Sequence, residues 1–347
     1  MSRSILAIGL ISLIVGLAAC GDDDDSSSSG GSASTTQEPA KKSIKVGLVT
    51  DIGGLNDRGF NQLANDGLER AKKDLGVQGR VISSSKNSDY IPNLSTFGQQ
   101  GYDLIIGNGF LMGDAVAASA KRFPKSKFAI IDFSQAAMKG KPTNAQGLVF
   151  KEQEGGYLVG YLAGLYAKDN DADTVSVIGG QKVPAVDHYI AGYQAGAKAA
   201  FPGVKTVNGY SQDFAVQAKC KEIALNQIAA GSDVVFQVAG GCGLGALDAA
   251  KAQSVWGIGV DADQGFLGPH ILTSALKGVD TAVYLSIKDA KEGHFKGGQD
   301  AVYGLDQHGV GLGRFSSKAP KGIEATTKRI EQQIMAGKIK NIPTTVK

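Results

Sequence analysis

The chain has 347 residues, of which 42% are hydrophobic and 20% charged, and a formal net charge of +3. That length exceeds one compact core and suits two lobes. Its lysines stand singly, without a basic stripe interleaved with aromatics, which excludes nucleic acid as the expected partner. The four histidines and three cysteines fall into no ligand spacing, so neither a metal nor another cofactor is expected.

Residues 1–19 read as an export signal. Arg3 supplies a positive charge, and Ile5 to Ala19 is apolar apart from glycine and serine, yet too short to cross a bilayer as a stable helix. The segment closes on Leu17-Ala18-Ala19-Cys20, which resembles a lipoprotein signal cleaved before a cysteine that is then acylated. An uncleaved anchor is the alternative. Residues 20–43 are rich in Asp, Ser and Gly, cannot bury apolar surface, and read as a flexible tether. The expected location is the outer face of a cell membrane, held by lipid alone.

From Ser43 onward strands and helices alternate. The predicted strands are Ile44–Thr50, Gly79–Ser83, Tyr102–Gly107, Phe128–Phe133, Gly147–Phe150, Thr174–Gly179, Lys205–Asn208, Asp233–Val238, Val255–Val260 and Ile271–Ser274. Between them lie helical spacings over Phe60–Leu75, Gly113–Arg122, Glu154–Lys168, Ala185–Ala200, Ala215–Ala230, Gly245–Ala252 and Thr281–Glu292. Apolar runs such as Asp233–Val238 suit strands covered on both faces, and the alternation predicts an α/β protein with doubly wound parallel sheets. Two strands, Phe128–Phe133 and Val255–Val260, are followed by a loop and another strand without a helix. Those are the expected crossings between lobes, giving residues 44–150 plus 265–297 as one lobe and 151–264 plus 298–347 as the other.

Ligands of open α/β sheets bind beyond the carboxyl ends of the strands. The residues there are Asp51, Asn56, Asp57 and Phe60 after the first strand, Asp132, Gly240–Gly245, Asp261-Ala-Asp263-Gln264, and Lys277. Each has a plain structural role as well. Phe60 can anchor a core, Asp132 and Asp261 can close Asx turns, Asn56-Asp57 can cap the following helix, and the glycine run can be only a tight turn. That run lacks the order of a nucleotide P-loop.

Four features carry a family resemblance in chain order. They are the Asp51-Ile-Gly-Gly-Leu-Asn-Asp-Arg-Gly-Phe-Asn-Gln loop, the Glu154-Gly-Gly-Tyr-Leu-Val-Gly-Tyr-Leu-Ala-Gly helix, Ala239-Gly-Gly-Cys-Gly-Leu-Gly, and Gly259-Val-Asp-Ala-Asp-Gln followed by Ser274-Ala-Leu-Lys. Together they resemble the basic membrane protein family of ABC-transporter lipoproteins, purine nucleoside receptors among them. The resemblance implies a type I periplasmic-binding fold, two lobes on a multi-strand hinge, and a monomer that delivers a purine nucleoside to an ABC transporter permease without catalysis. It implies that Phe60 stacks on the base, Asp132 accepts from base N–H groups, and Asp261 accepts from ribose hydroxyls with the Gly240 backbone and Lys277. Lys277 is expected to donate to a hydroxyl and to partner Asp261, while Asp51 or Asn56 completes the base edge. An Arg-Phe pair common in the family is His188-Tyr189 here, with Tyr189 as the second aromatic wall.

Cys220 and Cys242 are expected to pair. A helix descending from Cys220 and a strand climbing back to Cys242 bring the two to the same height, with two unpaired buried thiols as the alternative. Other functions stay open at this level. The Asp51 loop superficially resembles the calcium loop of nucleoside hydrolases, but has too few acids for that ion. A sugar-binding protein or a surface sensor or adhesion lipoprotein would share the fold.

Overall fold

The structure is a computed structural model that describes residues 43–346. The signal segment, Cys20 and the tether up to residue 42 lie outside the described residues. In chain order the elements are β1 (Lys45–Thr50), α1 (Phe60–Leu75), β2 (Gln78–Ser83), α2 (Tyr90–Gln99), β3 (Leu104–Asn108), α3 (Gly113–Arg122), β4 (Lys127–Ile131) and β5 (Ala145–Phe150). Then come α4 (Glu152–Asp169), β6 (Thr174–Gly179), α5 (Pro184–Ala200), β7 (Lys205–Tyr210), α6 (Gln217–Ala229), β8 (Ser232–Val238), α7 (Gly240–Ala252) and β9 (Trp256–Asp261). The chain closes with β10 (Ile271–Lys277), α8 (Val279–Glu292), β11 (Asp300–Tyr303), β12 (Val310–Leu312) and α9 (Ile323–Met335).

The strands form two six-stranded sheets, ordered β11-β5-β4-β3-β1-β2 and β12-β10-β9-β8-β6-β7. All neighbours pair in parallel except β12, which runs antiparallel to β10. Both sheets therefore repeat one winding, and both are covered on two faces. Alternation along β1 shows how. Val46 and Leu48 pack toward α1 and α8 with Leu68 and Val283, whereas Val49 faces the α2 and α3 side with Leu94 and Val116.

The crossings fall elsewhere than the sequence suggests. The β4–β5 and β9–β10 loops, expected to change lobe, each join parallel neighbours of one sheet, with only a 3-10 turn at Gln135–Ala137 or Gln264–Leu267 between them. The chain crosses instead between β5 and β6, between β10 and β11, and between β11 and β12. The expected boundary at 265 is corrected accordingly: β10 pairs along β9 in the second sheet, where Ile271 to Ala275 are all buried. The first sheet takes α8, packed on α1, and gains β11 along the open edge of β5.

One close approach fixes the geometry of the second lobe. Helices α4 and α5 touch through backbone: a Cβ on Gly156, Gly160 or Gly164 would lie 2.3, 2.1 or 2.3 Å from the carbonyl oxygens of Tyr189, Tyr193 and Ala197. That contact explains the glycine spacing in Glu154-Gly-Gly-Tyr-Leu-Val-Gly-Tyr-Leu-Ala-Gly, and it sets the height of α5 and of Tyr189 upon it. Gly160→Ala should therefore destabilise the protein by about 1–3 kcal/mol, the usual cost of overpacking. Denaturant unfolding checks this; an unchanged midpoint would mean that the two helices can part freely.

Candidate functional site

The two sheets present their strand ends to a shared cleft with about 660 Å³ of atom-free space, partly open to solvent. The first lobe contributes Asp51, Phe60, Asn61, Phe110, Leu111 and Asp132. The second contributes Val183, Val186, Tyr189, Phe214, Gly240 and Asp261, with Lys277 at the end of β10. The lobes also touch where Gln264 Nε2 donates to the Arg58 carbonyl at 3.2 Å and the Arg58 guanidinium lies 5.3 Å from the Phe266 ring centroid.

Asp132 and Asp261 occupy equivalent places at the ends of the fourth strands of the repeated winding, β4 and β9. Both have left-handed backbone, φ 68° and 62°. Aspartate tolerates that region better than most residues, but the conformation still costs about 1–3 kcal/mol and concentrates at functional sites. The Asp261 carboxyl accepts no hydrogen bond from the described residues. Burial pushes its pKa up to about 7, against the pull of Lys277 and with the help of Asp132, Asp57 and Glu152.

Lys277 departs from the expectation that it partners Asp261. Its Nζ straddles Asp132, 2.7 Å from Oδ1 and 2.8 Å from Oδ2, and lies 3.0 Å from Glu152 Oε1. It also lies 5.4 Å from the Phe60 ring centroid and 4.9 Å from that of Phe150. Burial alone would depress the Lys277 pKa, but Asp132, Glu152 and Asp261 together hold it above the ordinary lysine range. The paired carboxylates win because an ammonium so deeply buried needs close counter-charge. Glu152 in turn meets His188 Nδ1 at 3.1 Å through its other oxygen. Burial works to raise its pKa, yet Lys277 and His188 keep the glutamate below its usual value.

The loop after β1 divides its acids. Asp51 Oδ1 accepts from the Ile52 amide at 2.7 Å and from the Tyr90 hydroxyl, and burial raises its pKa in spite of those bonds. Asp57 takes the capping role, accepting from the amides of Gly59, Asn61 and Gln62 at 3.1, 2.8 and 3.1 Å. Asn56, an expected cleft residue, is exposed on a separate hollow beside Arg58 and Phe266, because the Asp57 cap turns the preceding residue outward. Phe60 is half-buried and performs both readings, lining the cleft while packing on the first lobe's core.

Tyr189 is buried edge-on to Phe236, ring centroids 6.0 Å apart. Its hydroxyl has no partner among the described residues. Phe214, which the sequence reading does not single out, also lines the cleft. Its carbonyl accepts from the Cys242 amide at 3.0 Å, so it is tied to the glycine run. That run, read as a strand-end loop, opens helix α7, and Gly240, the first residue of the helix, lines the cleft. Cys220 and Cys242 form a disulfide with Cα atoms 5.6 Å apart.

Among the described residues no cluster of acids, histidines and cysteines is arranged to hold a metal ion, and no helix is long and apolar enough to cross a membrane. Two repeated α/β lobes, closed over a cleft lined by aromatics and carboxylates, define a solute-binding protein. The chain belongs to the ABC transporter substrate-binding protein family described as PnrA-like, the match spanning residues 44–345. It is 36% identical to the "ABC transporter nucleoside-binding protein BmpA" of Lactococcus lactis, over 86% of this chain and 89% of that one. It is 37% identical to the "CD4+ T-cell-stimulating antigen" of Listeria monocytogenes, over 87% of this chain and 88% of that one. Among solved structures, an ABC transporter solute-binding protein from Aeropyrum pernix K1 superposes with a TM-score of 0.78 at 27% identity, covering 86% of this chain and 94% of the other.

Proposed function

We propose that this chain is the extracytoplasmic, lipid-anchored binding component of an ABC importer, and that it carries a purine nucleoside to the permease. The observation that carries this reading is the pairing of aromatic faces with an unpartnered buried carboxylate, Asp261, in a cleft where Lys277, the only lining cation among the described residues, is already neutralised. Phe60, Phe110 and Phe214 offer surfaces on which a planar base can stack, at roughly 1–3 kcal/mol per stacked base. Asp51 and Asp132 accept from base N–H groups, while Asp261 accepts from a vicinal diol and the Tyr189 hydroxyl is free to donate. Among the described residues a phosphate would meet carboxylates and no free arginine or lysine, so nucleotides are disfavoured. The relative named as nucleoside-binding supports the same ligand class.

Calorimetry with inosine, guanosine, adenosine, cytidine and AMP tests the reading. The purine nucleosides should bind most tightly; preference for AMP, or for a free sugar over any nucleoside, would sink it.

A further inference from the structure

Three carboxylates, Asp132, Glu152 and Asp261, surround Lys277 in the buried heart of the cleft, and the ammonium contacts only the first two. Glu152 does not line the cleft. It is the first residue of α4, on the strand-to-helix connection by which the chain leaves the first sheet for the second. We propose that Glu152 is a positioning residue: by sharing Lys277 with Asp132, it holds that ammonium off Asp261 and leaves the Asp261 carboxylate open to the ligand. The proposal rests on the reading of Asp261 as the diol anchor.

The geometry gives Glu152 two anchors of its own. Oε1 meets Lys277 from β10 at 3.0 Å, and Oε2 meets His188 from α5 at 3.1 Å. Its side chain is 3% exposed and that of Lys277 is 2% exposed, so neither can turn to solvent instead. The groups facing Glu152 are thus Lys277, His188, Asp132 beyond β4, Asp261 and the Tyr189 hydroxyl. Those facing Asp261 are Lys277, Asp132, Asp57, Glu152 and Tyr189. An unrestrained Lys277 would be drawn toward Asp261, the carboxylate without a hydrogen bond. A lysine paired with Asp261 would compete with ligand hydroxyls for the same oxygens.

Carboxyl-carbon NMR titration of the ligand-free protein, wild type and Glu152→Gln, separates positioning from simple charge. In the wild type Asp261 should titrate near neutrality. In the variant its midpoint should fall by about one pH unit or more, as Lys277 moves to it, while the Asp132 midpoint rises as it loses its partner. Removal of a negative charge without movement of Lys277 would lower both midpoints together, and that parallel fall would overturn the proposal. So would an Asp261 midpoint near about 4 in the wild type, which means that Lys277 already neutralises it and which needs no variant to fold. A merely structural glutamate would lower thermal stability and give only that parallel fall, with no rise at Asp132. Calorimetry of the wild type with inosine judges the nucleoside reading separately, since the NMR midpoints need no ligand.

Discussion

Asp261→Asn should weaken nucleoside binding by about 10- to 150-fold, the loss expected when hydrogen bonds to a charged group are removed. Asparagine is the right substitution here because it keeps tolerance for the left-handed backbone at φ 62°, which alanine would strain. The fold should survive, since no hydrogen bond of the described residues ends on this carboxyl. The same group sets a pH dependence with a definite sign. The unliganded carboxyl has its pKa raised to about 7, and ligand hydroxyls stabilise the ionised form, so binding releases a proton. Affinity in the wild type should rise as pH climbs through neutrality and level off above it. Stability of the free protein runs the other way. An aspartate raised above its unfolded value contributes stability at acid pH that is lost as pH climbs through the folded value. Calorimetry on either side of neutrality reads both variants; an equal pH slope in wild type and Asp261→Asn would assign the effect to another group.

The strand ends were legible because parallel strands buried on both faces are written as apolar runs, such as Phe128-Ala-Ile-Ile131, and stop where a polar residue appears. Asp132 and Asp261 follow such runs, which is why both could be placed at the mouth of a sheet. The partner of Lys277 could not be read, because the choice between Asp132, Glu152 and Asp261 is settled by distances across the hinge. Glu152 itself looks like any acid in the first turn of a helix, where the macrodipole favours one. The α2 helix hides behind Pro92 in its first turn and behind Ser95, Thr96 and Gly98, all poor helix formers. Yet α2 is required, for Phe97 fills the space above Gly47, where a Cβ would lie 2.5 Å from the ring. The α9 helix does carry a signal, with Ile323, Thr327, Ile330 and Ile334 buried at helical spacing. The short strands β11 and β12 carry none, because their positions depend on which sheet edge is left open.

Replacing Cys220 and Cys242 together by alanine should cost about 3 kcal/mol of stability, the chain-entropy value for a bridge spanning 22 residues. Alanine is preferred to serine because both sulfurs are fully buried among Ile178, Ala246 and Ala249, where a hydroxyl would lack a partner. The loss should show as a lower denaturant midpoint with a steeper slope, since the unbridged unfolded chain exposes more surface. The bridge also bears on the cleft. It joins α6 to the first turn of α7, and the Cys242 amide in that turn holds the Phe214 carbonyl at 3.0 Å. Without it, the Phe214 loop and Gly240 lose a shared restraint, and some binding free energy must go into ordering them. Dissociation of the nucleoside should therefore quicken in the double variant even where the protein remains folded. Thiol titration of the denatured, unreduced protein, made in an oxidising compartment, gives the control. Free thiols at Cys220 and Cys242 would remove the bridge from the account of both stability and binding.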